Sequence, residues 1–352
     1  MRPLLAAAPT LELLDAALAG TGPALLPTTE PAVLQALRAD DPVDDVVAVV
    51  VPTSGSTGVP KGVLLSAAAL RASAEATAAR LGGHGQWLLA IPPTHVGGLQ
   101  VLVRSLLGGT SPVPLDGPTT VASFEAAAEQ LTGGRRYASL VPTQLRRLLG
   151  SPALRSFDAV LLGGAAAPDA LLEAARADGV RVVPTYGMSE TSGGCVYDGV
   201  PLDGVEVEAG TRVRVRGPVL AEAYRSGPLR DPDGFFTTDD VGEWRDGRLV
   251  VLGRADDVVV TGGEKVAPAA VEAVLRAHPS VVDVAVVGVP DEEWGQRVVA
   301  VVVLRGPLAL AEARDVVAGP LPRAAAPREL RVVDALPLLS SGKVDRMRLR
   351  QA

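Results

Sequence analysis

As far as about Asp257, short apolar runs alternate with helical runs, and most apolar runs end in small residues. "DDVVAVVVP" leads into "TSGSTGVPKG", "QWLLAIPP" into "THVGG", "FDAVLLGG" into "AAAPD", and "VRVVPTYG" into "MSETSGG". The helical runs between them include "SAAALRASAEATAARLGG", with Ser66 as N-cap and Gly82 as stop, and "PDALLEAARADG", with Pro168 in its first turn. Strand–helix–strand order of this kind predicts parallel strands with helices on both faces. Parallel strands carry their C-terminal ends to one edge, and open α/β sheets bind ligands there. The loops at 53–58, 92–98, 163–166 and 186–190 are therefore expected to meet in one cleft.

The pattern changes after Gly193. "TRVRVRG" alternates with period two, as a half-exposed strand does. "GEWRDGRLVVLGR" holds Asp246-Gly247 between two apolar runs, a strong hairpin signal. From "DDVVVTGGEKVAP" onward the chain reads as a smaller α+β unit. The expected fold is thus α/β: a large N-terminal domain of parallel α/β layers with a β-rich subdomain, then a small, mobile α+β C-terminal domain. The predicted boundary separates residues 1–255 from 256–352.

A net charge of −7 and the absence of any basic run argue against a nucleic-acid partner or an anionic membrane surface. No apolar stretch approaches the roughly 20 residues of a membrane span. The start "MRPLLAAAPTLELLDAALAG" is interrupted by Pro9, Glu12 and Asp15 and reads as a short helix, so the cytoplasm is the expected compartment. Cys195 is the only cysteine, which excludes a disulfide framework.

Of 33 basic residues only Lys61, Lys265 and Lys343 are lysine. All three lie in glycine-bearing segments, where a compact ammonium does what a planar guanidinium cannot. Lys61 closes the loop "TSGSTGVPKG". A Walker loop has its Lys directly after Gly, whereas Lys61 follows Pro60. Backbone N–H groups, hydroxyls and the dipole of a following helix could still cradle a triphosphate.

Here the chain resembles the adenylate-forming (AMP-binding) enzymes: acyl- and aryl-CoA synthetases, adenylation domains and luciferases. The resemblance rests on "TSGSTGVPKG", "YGMSETSGG", "GFFTTDDVGEW", "GRADDVVVTGGEKVAP" and "LPLLSSGKVDR", in that order from about residue 47 to the end. "TYGMSETSGGCVYDGVPLDGV" and "HVGGLQVLVRSLLGG" are similar to the o-succinylbenzoate–CoA ligases of menaquinone biosynthesis, in their short actinobacterial form.

The resemblance implies a carboxylate joined to ATP's α-phosphate, then passed to coenzyme A, with Mg²⁺ assisting. Thr53, Ser54, Gly55, Ser56, Thr57, Gly58 and Lys61 would hold the phosphates. Glu190 would ligate Mg²⁺, a hard cation that takes carboxylate oxygen. Gly163, Gly164, Ala165, Tyr186 and Gly187 would bind the adenine. Asp240 would accept both ribose hydroxyls, and Arg254 would complete that contact. Asp239, beside it, stands where the family has glycine. Lys343 would be the catalytic cation, Asp256 the hinge, and Gly262 and Gly263 the coenzyme A channel. His95 would be a second catalytic residue near the acyl carboxylate, or else a packing histidine. Ser189, Ser192, Gly193 and Gly194 would wall the acid pocket, the glycine pair making room for a ring. Arg104, in an apolar helix, needs a partner. A structural ion pair is the favoured reading, and the acid's second carboxylate is the other.

In longer relatives the phosphate loop lies far further from the start. The shortened N-terminal part leaves a face that a homodimer would cover. An aryl or acyl ligase of secondary metabolism, loading coenzyme A or a carrier protein, is the alternative. A non-catalytic nucleotide-binding relative fits less well, because Lys343, Glu190 and Asp240 are all present.

Overall fold

The valine run Val47–Ser54 forms the expected strand, but not beside the other ligand-edge strands. In the computed structural model, residues 1–54, 60–338 and 344–351 are described, without the side chains of Ser54 and Asp256. Val47–Ser54 pairs antiparallel with Pro60–Ser66 in a six-stranded sheet that also holds Leu4–Ala6, Ala24–Leu26, Ala223–Tyr224 and Gly227–Pro228. This corrects two expectations. The phosphate loop and the other three loops do not leave one common sheet. Nor does that loop open a helix: the strand Pro60–Ser66 intervenes before Ala67–Leu81. Ser66 still caps that helix by accepting from Ala69 N at 3.2 Å, and Gly82 ends it at φ +93°.

The other three loops do share a sheet. Its seven strands run in the order Val200–Pro201, Gly193–Tyr197, Val182–Met188, Ala159–Leu162, Arg136–Leu140, Gln86–Leu89 and Val113–Pro114. The last five are mutually parallel, and the first two pair antiparallel. One face packs Leu88, Ala138, Leu140, Val160 and Leu162 against Phe124, Leu145, Leu148, Leu171 and Ala175 of three helices. On the other side, helix Val96–Leu107 packs on strands of this sheet. It also packs on helices Leu11–Ala19 and Ala67–Leu81, which in turn contact the six-stranded sheet. Val96–Leu107 is therefore buried along most of its length.

The chain divides into two compact units, one of residues 1–208 and 214–237, the other of 209–213 and 238–352. The predicted hairpin forms from Asp240–Arg245 and Arg248–Arg254, with Asp246 (φ 49°) and Gly247 (φ 72°) at its turn. It belongs to the second unit. There Val281–Asp291 and Gly295–Leu304 make a long antiparallel pair, flanked by Val259–Thr261, Glu264–Val266 and Glu329–Val332. Helices Pro268–Arg276 and Leu310–Ala318 contribute Val271, Leu275, Ala313 and Val317 to its core.

Candidate active site

The parallel register sets Gly163 beside Thr185. Leu162 pairs with Pro184, and a Cβ on Gly163 would lie 2.5 Å from Thr185 Oγ1. Gly164 sits at φ +81°, and Ala165 is exposed. Tyr186, half-buried, lies one residue beyond Thr185 on the same strand and pairs with Val196. Gly187 is required by the neighbouring strand, because a Cβ there would lie 2.1 Å from the Gly193 carbonyl oxygen. Ser189–Thr191 then form one 3₁₀ turn. The Thr191 hydroxyl, fully buried, accepts from Met188 N at 2.9 Å and donates to Gly193 O at 2.7 Å. Glu190 and Ser189 remain half-buried on this turn.

Glu190 meets the phosphate strand through a residue that the sequence reading missed. Tyr224 pairs with Val63, two positions past Lys61. Its hydroxyl donates to Glu190 Oε1 at 2.9 Å, and its ring lies 5.4 Å from Lys61 Nζ. Ala221 N donates to Glu190 O at 2.8 Å, and Arg225 N donates to Gly62 O at 2.7 Å. Thr53 faces Lys61 across the hairpin and donates to its carbonyl at 3.3 Å. Gly55, Ser56, Thr57, Gly58 and Lys343 lie outside the described residues, as do the side chains of Ser54 and Asp256.

The intended acid-pocket residues divide. His95 is half-buried and is the N-cap residue of Val96–Leu107, on the loop that follows Gln86–Leu89. Ser192 is fully buried at φ 53° and donates to Val219 O at 2.8 Å, so it offers no surface to a ligand here. At Gly194 the room belongs to Tyr197, whose ring carbon Cε1 would lie 2.8 Å from an added Cβ. Gly193 adopts φ +101° above Gln100.

Below this turn lies a buried polar layer. Gln100 Nε2 donates to Ser192 O at 2.8 Å, and Ser73 donates to the same oxygen at 3.0 Å. Arg104 is 5% exposed, stacks over Trp87 at 4.9 Å and donates to Tyr197 OH at 3.4 Å. The expected ion pair is not there: no carboxylate pairs with Arg104 among the described residues, and its Nε lacks a hydrogen-bond partner. Burial lowers its pKa below the ordinary arginine value.

Asp240, Arg254, Asp256, Gly262 and Gly263 belong to the second unit. Asp239 is paired there with both Arg212 and Arg254, the latter at 3.0 Å. Its extra negative charge is thereby neutralised beside half-buried Asp240. Gly262 and Gly263 turn the Val259–Thr261/Glu264–Val266 hairpin at φ 58° and 82°. A Cβ on Gly262 would lie 2.9 Å from the Trp294 ring.

Residues 8–225 match the AMP-binding enzyme family, and residues 270–343 match the AMP-binding enzyme C-terminal domain. The chain belongs to the AMP-binding enzymes. It is 51% identical over 358 residues to a "Probable 2-succinylbenzoate–CoA ligase" of Mycobacterium tuberculosis, covering 96% of this chain and 94% of that one. It is similar to Bacillus subtilis o-succinylbenzoate CoA synthetase (MenE) in complex with the acyl-adenylate intermediate OSB-AMP. That match has 28% identity and a TM-score of 0.80, over 97% of this chain and 81% of the other. The same enzyme solved with ATP and magnesium ion matches at 27% identity and a TM-score of 0.76, over the same shares.

A family member that handles Mg²⁺ with ATP needs few protein ligands, because the ion takes phosphate oxygens and water for the rest. Glu190 fits this. Tyr224 donates to Oε1, and no salt bridge engages this carboxylate among the described residues.

Proposed function

We propose that this AMP-binding enzyme is an acid–thiol ligase that activates 2-succinylbenzoate with ATP and transfers it to coenzyme A. The observation that carries the reading is 51% identity across nearly the full length of both chains to a relative bearing that name. In the first step a carboxylate oxygen attacks the α-phosphorus of ATP, and pyrophosphate leaves. In the second the coenzyme A thiol attacks the acyl carbonyl, its proton passes to solvent, and AMP leaves.

Bound Mg²⁺ supplies charge neutralisation at the phosphates, and Glu190 would hold it. Thr53, Ser54, residues 55–58 and Lys61 receive the phosphates. Gly163, Gly164, Ala165, Tyr186 and Gly187 receive the adenine, and Asp240 with Arg254 the ribose. Lys343 stabilises charge developing at the reacting carboxylate. His95 and Ser189 face the acid. Ser192, Gly193 and Gly194 shape the pocket through their turn and packing. Rotation about Asp256, at a 255/256 boundary, exchanges Lys343 for the Gly262–Gly263 hairpin between steps.

Arg104, almost closed to solvent, would answer the substrate's second carboxylate when the acid displaces its long contact with Tyr197. A buried guanidinium with no carboxylate partner among the described residues supports a diacid over a simple benzoate. The reading takes the cytoplasm as its compartment, where ATP and coenzyme A are supplied. No described helix is long and apolar enough to cross a membrane. A homodimer is the assembly inferred, and sedimentation tests it.

Pyrophosphate release is the test, measured with a panel of acids. 2-Succinylbenzoate is expected to exceed benzoate and simple fatty acids. Release without any coenzyme A ester would refute the transfer step, and no release with any acid would refute the enzyme. Lys343→Ala is expected to abolish adenylation while sparing thioester formation from preformed adenylate. Equal loss in both half-reactions would remove Lys343 from its role.

A further inference from the structure

We infer that Tyr224 is a positioning residue that sets the metal carboxylate and the phosphate lysine at their working separation. The inference rests on the proposed ATP chemistry for Glu190 and Lys61. Three sequence-distant segments meet at this one phenol.

A half-exposed carboxylate samples several rotamers and both oxygens equally. Here the Tyr224 O–H donates to Oε1 at 2.9 Å, which restrains the carboxylate and leaves Oε2 without a hydrogen-bond partner among the described residues. The backbone adds a second tie, Ala221 N to Glu190 O at 2.8 Å. Tyr224 is itself locked by strand pairing. Glu222 N donates to Leu64 O at 2.9 Å and Arg225 N to Gly62 O at 2.7 Å, on either side of the Tyr224–Val63 pair. The Tyr224 backbone is therefore fixed relative to the phosphate strand, and the bond to Glu190 directs its phenol.

The same ring lies under Lys61 Nζ at 5.4 Å, within cation–π range. No ion pair joins Lys61 to Glu190 among the described residues. If the two charges met directly, each would neutralise the other. A phenol in contact with both cancels neither, so the carboxylate stays available to a divalent cation and the ammonium to a phosphate.

The experiment uses the full-length chain and three forms: wild type, Tyr224→Phe and Tyr224→Leu. Mn²⁺ with ATP is the probe, read by electron paramagnetic resonance as bound metal, alongside the free Mg²⁺ needed for half-maximal pyrophosphate release. Tyr224→Phe keeps the ring and loses the hydroxyl. It is expected to weaken Mn²⁺·ATP binding and raise the Mg²⁺ requirement by about tenfold, the usual effect of one hydrogen bond to a charged group. Its KM for the acid and its inhibition by added pyrophosphate are expected to stay within about twofold of wild type. Tyr224→Leu also loses the π face, and is expected to weaken pyrophosphate inhibition by a further three- to fivefold, roughly the exposed cation–π value.

Unchanged Mn²⁺·ATP binding in the Phe variant would overturn the inference. So would a uniform loss in every parameter together with a lowered unfolding midpoint, which marks a merely structural tyrosine. If no form releases pyrophosphate, the ligase reading fails, while the Mn²⁺·ATP comparison still decides the role of Tyr224.

Discussion

Replacing Arg104 with methionine separates two explanations of a buried arginine with opposite signs. Methionine keeps an unbranched apolar stem as far as the Nε position and removes the charged guanidinium. On the stability side, the stacking over Trp87 is lost, worth about 0.5–2 kcal/mol. The long 3.4 Å bond to Tyr197 is lost too, but Tyr197 OH keeps its 2.9 Å contact with Thr77 and is not orphaned. Against these, the variant removes a buried Nε that has no hydrogen-bond partner, a relief of about 1–3 kcal/mol. These terms nearly cancel, and the space vacated by the guanidinium adds a cavity cost, so the unfolding midpoint is expected to fall by a few degrees. On the function side, a charge-assisted contact to the substrate's free carboxylate is worth about 1.5–3 kcal/mol, or roughly 10- to 150-fold in kcat/KM. The assay is pyrophosphate release with 2-succinylbenzoate and with benzoylpropionate, which lacks the ring carboxylate. The variant is expected to lose most of its preference for the diacid and little activity on the mono-acid. Equal losses on both acids, or a collapse of the unfolding midpoint, would refute the reasoning and return Arg104 to the core.

Two further outcomes follow from the packing around the same turn. Gly187→Ala places a Cβ 2.1 Å from Gly193 O and 2.6 Å from Gly194 Cα, both backbone atoms of the paired strand. It is expected to cost about 1–3 kcal/mol or more, seen as a lowered unfolding midpoint together with lost adenylation. Cys195 is fully buried, and burial pushes its thiol up to about 12 from an ordinary 9.0. The folded state therefore holds this proton where the unfolded chain has released it. Its contribution to stability is complete below about pH 9 and is lost as pH rises toward 12. Aromatic disulfide reagents at pH 8 are expected to label Cys195 only at the unfolding rate, and fast labelling of native protein would contradict this.

Much of the architecture was legible because its signals are local. Buried parallel strands read as apolar runs, Ser66 and Gly82 bracket their helix, and Asp246-Gly247 announces its hairpin. What could not be read is which strand joins which sheet. "PKGVLLS" carries no mark that it pairs back on Val47–Ser54 instead of opening a helix. Pairing is a long-range choice, settled by burial on both faces and not by propensity. Tyr224 escaped for the same reason. It sits on a two-residue strand with no periodicity, and its meaning appears only once Val63 and Glu190 are beside it. Ser192 and Gly194 erred in the other direction. Closeness to Glu190 in sequence suggested a pocket wall, but the left-handed turn at Ser192 sends its hydroxyl to Val219. Gly194 is small because Tyr197 packs against it.

Arg225, the neighbour of Tyr224, ties the N-terminal residues to the phosphate strand. Its side chain donates to the carbonyls of Leu37, Arg38 and Asp41, the last two at 2.6 and 2.7 Å, while its backbone N–H holds Gly62. Three carbonyls at the end of helix Pro31–Ala36 and just beyond are thus satisfied by one planar fork, a geometry that lysine cannot reproduce. Desolvation is the main cause that lowers the Arg225 pKa, with nearby Arg38 adding to it, so the clamp carries an electrostatic cost. Leu37, Val43, Val47 and Val50 pack into one small core beneath it, which ties the N-terminal residues to the strand bearing Thr53. The N-terminal residues therefore support the candidate site: they hold the strand that presents Lys61, through the residue next to the phenol bonded to Glu190.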